Sequence, residues 1–148
     1  MNGHRGSRAV RILLVEDNPG DVRLTREALR EAKVRNEMAV AMDGEEAIAY
    51  LRRTGKFKDA TRPDVIMLDL NLPKKSGLEV LKDVKSDDDL RRIPIVVVTS
   101  SEAEQDIVKS YNLHANCFVT KPVDLSRFLE VVKAVENFWL TIVQLPPE

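Results

Sequence analysis

Apolar residues along this chain fall into two textures. Four short, β-branched apolar runs, "RILLVE" (11–16), "VIMLD" (65–69), "IPIVVVTS" (93–100) and "NCFVT" (116–120), read as strands, and the unbroken Val65–Leu68 as one buried on both faces. "EMAVAM" (37–42) is a weaker fifth strand. The segments between them carry apolar residues at helical spacing. "PGDVRLTREALREAK" has Pro19 near its start and Val22, Thr25, Ala28, Leu29 and Ala32 along one side, the face that packs on a sheet. "DGEEAIAYLRRTG" opens at an Asp-Gly turn and is expected to stop at Gly55. "SGLEVLKDVKSD" and "SEAEQDIVKSYNL" each have a serine near the N-cap, and "DLSRFLEVVKAVENFW" opens with Asp124 in that role.

Five strands alternating strictly with five helices predict an α/β domain. Right-handed crossovers then wrap helices on both faces of a parallel, doubly wound sheet. Ligands in such folds sit beyond the C-terminal ends of the strands, so the residues there are the candidates. They are Glu16-Asp17 after strand one, Asp69 after strand three, Thr99 at strand four, and Thr120 followed by Lys121-Pro122 at strand five. Three carboxylates gathered on one edge repel unless a cation neutralises them, and an all-oxygen cluster suits a hard divalent ion, Mg²⁺. The competing reading is that each acid merely caps the helix that follows it.

Composition narrows the function classes. At 148 residues the chain fits one domain with one core. Its 23 basic and 24 acidic residues are well mixed, for a net charge of -1, so neither nucleic acid nor a membrane surface is an expected partner. The lone Cys117 cannot form an internal disulfide and reads as a small buried hydrophobe. No apolar segment approaches a membrane span or a signal-peptide core, which predicts a cytoplasmic protein. His4 and His114 lie far apart without ligand-spaced partners, which argues against zinc. No glycine-rich phosphate loop is present, which argues against a nucleotide-binding enzyme. "SDDDL" (86–90) reads as a solvated turn, and Arg5, Arg8 and Arg11 as solvated residues of a polar N-terminal stretch.

The ordered motifs "VED" (15–17), "DLNLPKKSG" (69–77), "VVVTSS" (96–101) and "CFVTKP" (117–122) give the chain a resemblance to the receiver domain of two-component response regulators, from about Arg11 to Val135. The resemblance implies the flavodoxin-like, CheY-like (βα)5 fold with strand order 2-1-3-4-5. It also implies that Asp69 accepts a phosphoryl group from a sensor histidine kinase. Mg²⁺ would be held by Asp17, Asp69 and the backbone carbonyl of Asn71, with Glu16, which stands where the family often has Asp, acting through water. Lys121, aimed by a cis Lys121-Pro122 bond, and Thr99 would contact phosphoryl oxygens. Thr99 and Phe118 would form the switch, Phe118 moving into the space that Thr99 vacates; the alternative is a core phenylalanine that stays put. Phe118 lacks the hydroxyl of the tyrosine often found there. Asn71, Ser100 and Ser101 would tune phosphoryl lifetime. The output would be a two-state protein-binding surface of helix four, strand five and helix five. Such a protein is no enzyme beyond catalysing its own aspartyl phosphorylation and dephosphorylation.

The expected organisation is a flexible leader at 1–9, the receiver at 10–136 and a C-terminal extension at 137–148. Residues 122–148 suffice for a fifth helix and a tail but not for an output domain, so a stand-alone receiver is expected. The last helix carries two apolar stripes, Phe128, Val132, Val135 and Trp139 on one and Val131, Ala134, Phe138 and Ile142 on the other. One can face the sheet, and the second predicts a homodimer through Phe138, Trp139, Ile142 and Leu145. The alternative is that Trp139 folds the tail onto its own domain. "NFWLTIVQLP" and "YNLHANCFVTKPVDL" resemble the small regulators that pair with bacterial phytochrome histidine kinases. A phosphatase with an aspartyl-phosphate intermediate needs a second acid where Asn71 stands, and a flavodoxin needs a phosphate loop that is missing. A constitutive protein-binding adaptor, or a phosphate sink, remains open beside the switch.

Overall fold

The computed structural model of the chain describes residues 9–31, 35–99, 103, 106, 108–109 and 117–120, the last four as backbone. In chain order these residues form β1 (Val10–Val15), α1 (Pro19–Arg30), β2 (Asn36–Ala41), α2 (Gly44–Arg52), β3 (Val65–Asp69), α3 (Gly77–Ser86), β4 (Ile95–Thr99) and β5 (Cys117–Thr120). All neighbouring strands run parallel, and the order is β2-β1-β3-β4-β5, as the strand–helix alternation and the family resemblance imply.

Period-two alternation divides the strands between two cores. Leu13 and Val15 of β1, Ile66 and Leu68 of β3, and Ile95 and Val97 of β4 face the α2–α3 side with Ile48, Leu51, Val80, Leu81 and Val84. Val10, Ile12 and Leu14, with Val65, Met67 and Val96, face α1 through Ala28 and Leu29. A strand covered on both sides has both faces buried, and β3 and β4 are buried without a break, apolar at every position but the last, Asp69 and Thr99. Each such side chain contributes about 1.5–3 kcal/mol. Ala103, Asp106, Val108 and Lys109 are helical, and Val108 is buried in the α2–α3 core. The expected fifth helix, including Asp124, lies outside the described residues.

Helix starts follow local chemistry. The Asn18 side chain accepts from Asp21 N at 3.0 Å ahead of Pro19, opening α1. Asp43 accepts from Glu46 N at 2.8 Å, and Glu46 reaches back to Met42 N at 2.9 Å. Ser76 and Glu79 exchange bonds of 3.2 and 3.0 Å in a complete capping box.

Two expectations need correction. Helix α2 stops at Arg52, not at Gly55, and Arg53 takes the left-handed conformation at φ 57°. The early stop lets a short 3-10 turn, Gly55–Phe57, swing back and set the Phe57 ring edge-on to Tyr50, centroids 5.4 Å apart. Burial raises the Tyr50 phenol above its usual range, with Arg11 opposing the shift. The "SDDDL" stretch is also more than a solvated turn. Asp87 Oδ1 accepts from Asp89 N and Leu90 N, both at 2.9 Å, and Asp89 Oδ2 accepts from Arg62 at 2.7 Å. This folded corner inserts Leu90 into the core at 5% exposure, which a solvated turn would not achieve. Among the described residues, no helix is long and apolar enough to cross a membrane.

Candidate functional site

The site is built by strand register. Val15 pairs with Leu68, Asp69 with Val98, and Thr99 with Thr120, so four strands end level on one rim. One step past Val15 and Leu68, alternation turns Glu16 and Asp69 to the same face of the sheet, next to each other. Glu16 is 3% exposed and Asp69 1%, whereas Asp17 is exposed. One carboxylate oxygen from each of Glu16, Asp17 and Asp69 lies within 4.8 Å of the others.

This arrangement carries an electrostatic cost. Two carboxylate charges about 5 Å apart repel by about 3 kcal/mol at an effective dielectric of 20, and Glu16 and Asp69 are buried away from the water that would screen them. The capping alternative does not account for it, because Asn18 caps α1 and Ser76 caps α3. The acids are instead held for their own sake. Glu16 Oε2 accepts from Asn18 N at 3.1 Å and Asp69 Oδ1 from Asn71 N at 2.9 Å. Three convergent oxygen donors, two of them buried, match the needs of a hard divalent cation such as Mg²⁺ or Mn²⁺.

The loop after Asp69 is fixed at both ends. Leu70 N donates to Val98 O and Gly77 N to Leu70 O, each at 3.1 Å. A Cβ at Gly77 would overlap the Asp69 carbonyl oxygen and the Leu70 Cα, so only glycine lets α3 start against this backbone. Lys74 within the loop is left-handed, φ 63°, and its ammonium lies 3.6 Å from Asp43. Sequence reasoning missed Asp43, Gly44 and Lys74 as part of this region; the Asp-Gly pair signals a turn, but nothing local shows which backbone it turns against.

Thr99 ends β4 fully buried, and its hydroxyl is without a hydrogen-bond partner among the described residues. Leaving such a group unsatisfied costs about 1–3 kcal/mol. Phe118 is described as backbone only, paired with Val97 in β5. Ser100, Ser101, Lys121, Pro122 and the dimer candidates Phe138, Trp139, Ile142 and Leu145 lie outside the described residues.

Comparison with known proteins agrees with this geometry. Residues 12–133 match the response regulator receiver domain. Response regulator Rcp1 of Synechocystis sp. is 46% identical over 135 residues, covering 91% of this chain and 92% of Rcp1. The phosphorylated cyanobacterial phytochrome response regulator RcpA superposes with a TM-score of 0.78 at 51% identity, covering 91% of this chain and 96% of RcpA. The Mn²⁺-bound form of Rcp1 also gives a TM-score of 0.78, at 45% identity, covering 93% of this chain and 99% of that structure. With its sheet order, its acidic rim and a match spanning most of its length, the chain belongs to the response regulator receiver domain family.

Proposed function

We propose that Asp69 is the phosphoryl acceptor of this receiver and that Asp17, Asp69 and the Asn71 backbone carbonyl hold Mg²⁺, with Glu16 acting through water. The observation that carries the reading is the cluster of Glu16, Asp17 and Asp69 within 4.8 Å, two of them buried and neither capping a helix. An Asp69 oxygen attacks the phosphorus of a phosphohistidine or a small phosphodonor, the bond from phosphorus to the leaving group breaks, and an acyl phosphate forms. The carboxylate is a weak nucleophile, so the rate comes from in-line placement and charge neutralisation. When bound, Mg²⁺ supplies part of that neutralisation on the transferred oxygens. The Asn71 N–H, held on Oδ1, keeps the carboxylate from rotating. The Thr99 hydroxyl donates to one phosphoryl oxygen and the Lys121 ammonium to another.

The phosphorylated state draws Thr99 toward the phosphoryl group, and Phe118 follows into the space behind it. The surface of helix four, β5 and helix five is the two-state element that reads this change. A sensor histidine kinase supplies the phosphoryl group. The likeness to the phytochrome regulator RcpA supports a bacterial phytochrome kinase as that partner. A homodimer through Phe138, Trp139, Ile142 and Leu145 is the second partner proposed, on the apolar stripe those residues continue.

Intact mass after incubation with Mg²⁺ and acetyl phosphate tests the reading, with Asp69→Asn alongside and elution size recorded in the same samples. Wild type gains one phosphoryl group and the variant none. No mass gain by either, with wild type folded and binding Mg²⁺, would reject the acceptor and leave a constitutive adaptor as the better account.

A further inference from the structure

The Asp43-Gly44 pair does more than open α2. Gly44 is buried against the loop that leaves Asp69: a Cβ there would overlap the Lys75 carbonyl oxygen and lie 2.6 Å from the Lys75 carbonyl carbon. That backbone is no flexible side-chain end that could swing aside, so only a hydrogen fits. Beside this contact, Asp43 uses one carboxylate oxygen to cap α2 at Glu46 N, 2.8 Å, and places the other 3.6 Å from the Lys74 ammonium. Lys74 itself is held at φ 63°, a conformation that persists in a lysine only where the surroundings over-determine it. The loop of residues 70–76 is thus pinned twice, at one end by Gly77 on the Asp69–Leu70 backbone and near the other by Lys75 on Gly44.

We propose that the N-terminus of α2 is a seat for the acceptor loop, and that Gly44 is a positioning residue that sets the metal affinity of the Asp69 site. The proposal rests on the reading of Asp69 and the Asn71 carbonyl as metal ligands. Only three residues separate Asn71 from Lys75, so a shift of a few tenths of an ångström at Lys75 reaches the Asn71 carbonyl. Displacements of about 1 Å at such sites cost roughly 10²-fold in the chemistry they support. By thermodynamic linkage, metal binding must stabilise the seat by the same factor by which the seat strengthens metal binding.

Mn²⁺ titration followed by electron paramagnetic resonance, well below the melting temperature, tests this with wild type, Gly44→Ala and Ala47→Gly. Ala47 is buried on the same helix one turn later and serves as the control for general destabilisation. Gly44→Ala is expected to bind Mn²⁺ about tenfold more weakly, while Ala47→Gly stays within twofold of wild type. Wild-type affinity in Gly44→Ala, or equal losses in both variants, would overturn the seat. Absence of Mn²⁺ binding by wild type would instead reject the metal site, and the seat with it. Should Gly44→Ala fail to fold, hydrogen exchange of wild type decides. Mg²⁺ should slow exchange at Glu46 N and Ala47 N, both bonded to Asp43, about tenfold relative to α1 amides. An unchanged ratio would overturn the proposal.

Discussion

Asp69 accepts the backbone N–H of Asn71 at 2.9 Å, and the carbonyl on the other side of that same peptide, Leu70 O, accepts Gly77 N at 3.1 Å. One peptide plane therefore ties the Asp69 carboxylate to the start of α3. Rotation of the carboxylate about its side-chain torsions works against the Asn71 N–H bond, and the Gly77 N–H bond keeps that peptide from following, which is the preorganisation the proposed in-line transfer requires.

Asp69→Asn separates this geometry from the charge. Asparagine keeps an oxygen for the Asn71 N–H, so the loop should stay in place while the repulsion with Glu16 and Asp17 falls. Metal-free stability is expected to rise by about 1–3 kcal/mol in urea unfolding, and the stabilisation of wild type by Mg²⁺ should largely vanish in the variant. A less stable variant would mean that the acids are not in conflict.

Thr99→Val replaces a buried hydroxyl that has no hydrogen-bond partner among the described residues with an apolar isostere. Unfolding should show a gain of about 1–2 kcal/mol, because a desolvated polar group is removed without a cavity. Phosphorylation by acetyl phosphate should slow, since the hydroxyl proposed to donate to a phosphoryl oxygen is lost. Gain in stability together with loss of rate is the signature of a group kept for function.

Arg53→Gly tests the helix stop. Arginine at φ 57° is strained by about 1 kcal/mol relative to glycine, and Arg53 sits one residue past α2 where glycine is the preferred occupant. The substitution is expected to raise stability by about 0.5–1 kcal/mol with unchanged phosphorylation. A loss would show that the Arg53 side chain contributes more than its backbone costs.

Asp87 sets a pH dependence. Its carboxyl is held below the usual value of 3.8, first by the Leu90 N–H and the Asp89 N–H, with Arg52 and Arg62 adding to the effect. A lowered folded value means that the carboxylate's contribution is complete above 3.8 and is lost as pH falls through the folded value. Asp87→Ala should therefore melt below wild type at neutral pH, and the gap should close in acid. A gap that persists at pH 2 would point to something other than the ionised cap.

The legible part of the site was its inventory. Glu16, Asp17, Asp69 and Thr99 stand out because each follows an apolar run, and in a parallel sheet the end of such a run is a fixed place on the rim. The caps at Asn18, Asp43 and Ser76 obey side-chain chemistry within four residues, so helix starts were readable to within a residue or two.

The helix stop and the corner before β4 depend on contacts beyond the reach of one helical turn. Gly55 looked like the stop of α2, yet α2 ends at Arg52 with left-handed Arg53 after it, and the turn that follows returns Phe57 to Tyr50. "SDDDL" is solvated at Asp88 and Asp89, as read, but Arg62, 27 residues before Asp89, joins it and Leu90 enters the core.

The sequence by itself determined the alternation of strands and helices, the rim on which the carboxylates gather and the family, since periodicity and capping are local and act within a turn or a strand. Only the tertiary structure decided that Gly77 lies under the Asp69 carbonyl, that Gly44 seats Lys75 and that neither buried acid serves as a cap. The two glycine contacts are close approaches between backbones that are not adjacent in the chain, set by how sheet and helices pack together, and no local pattern of side chains encodes them.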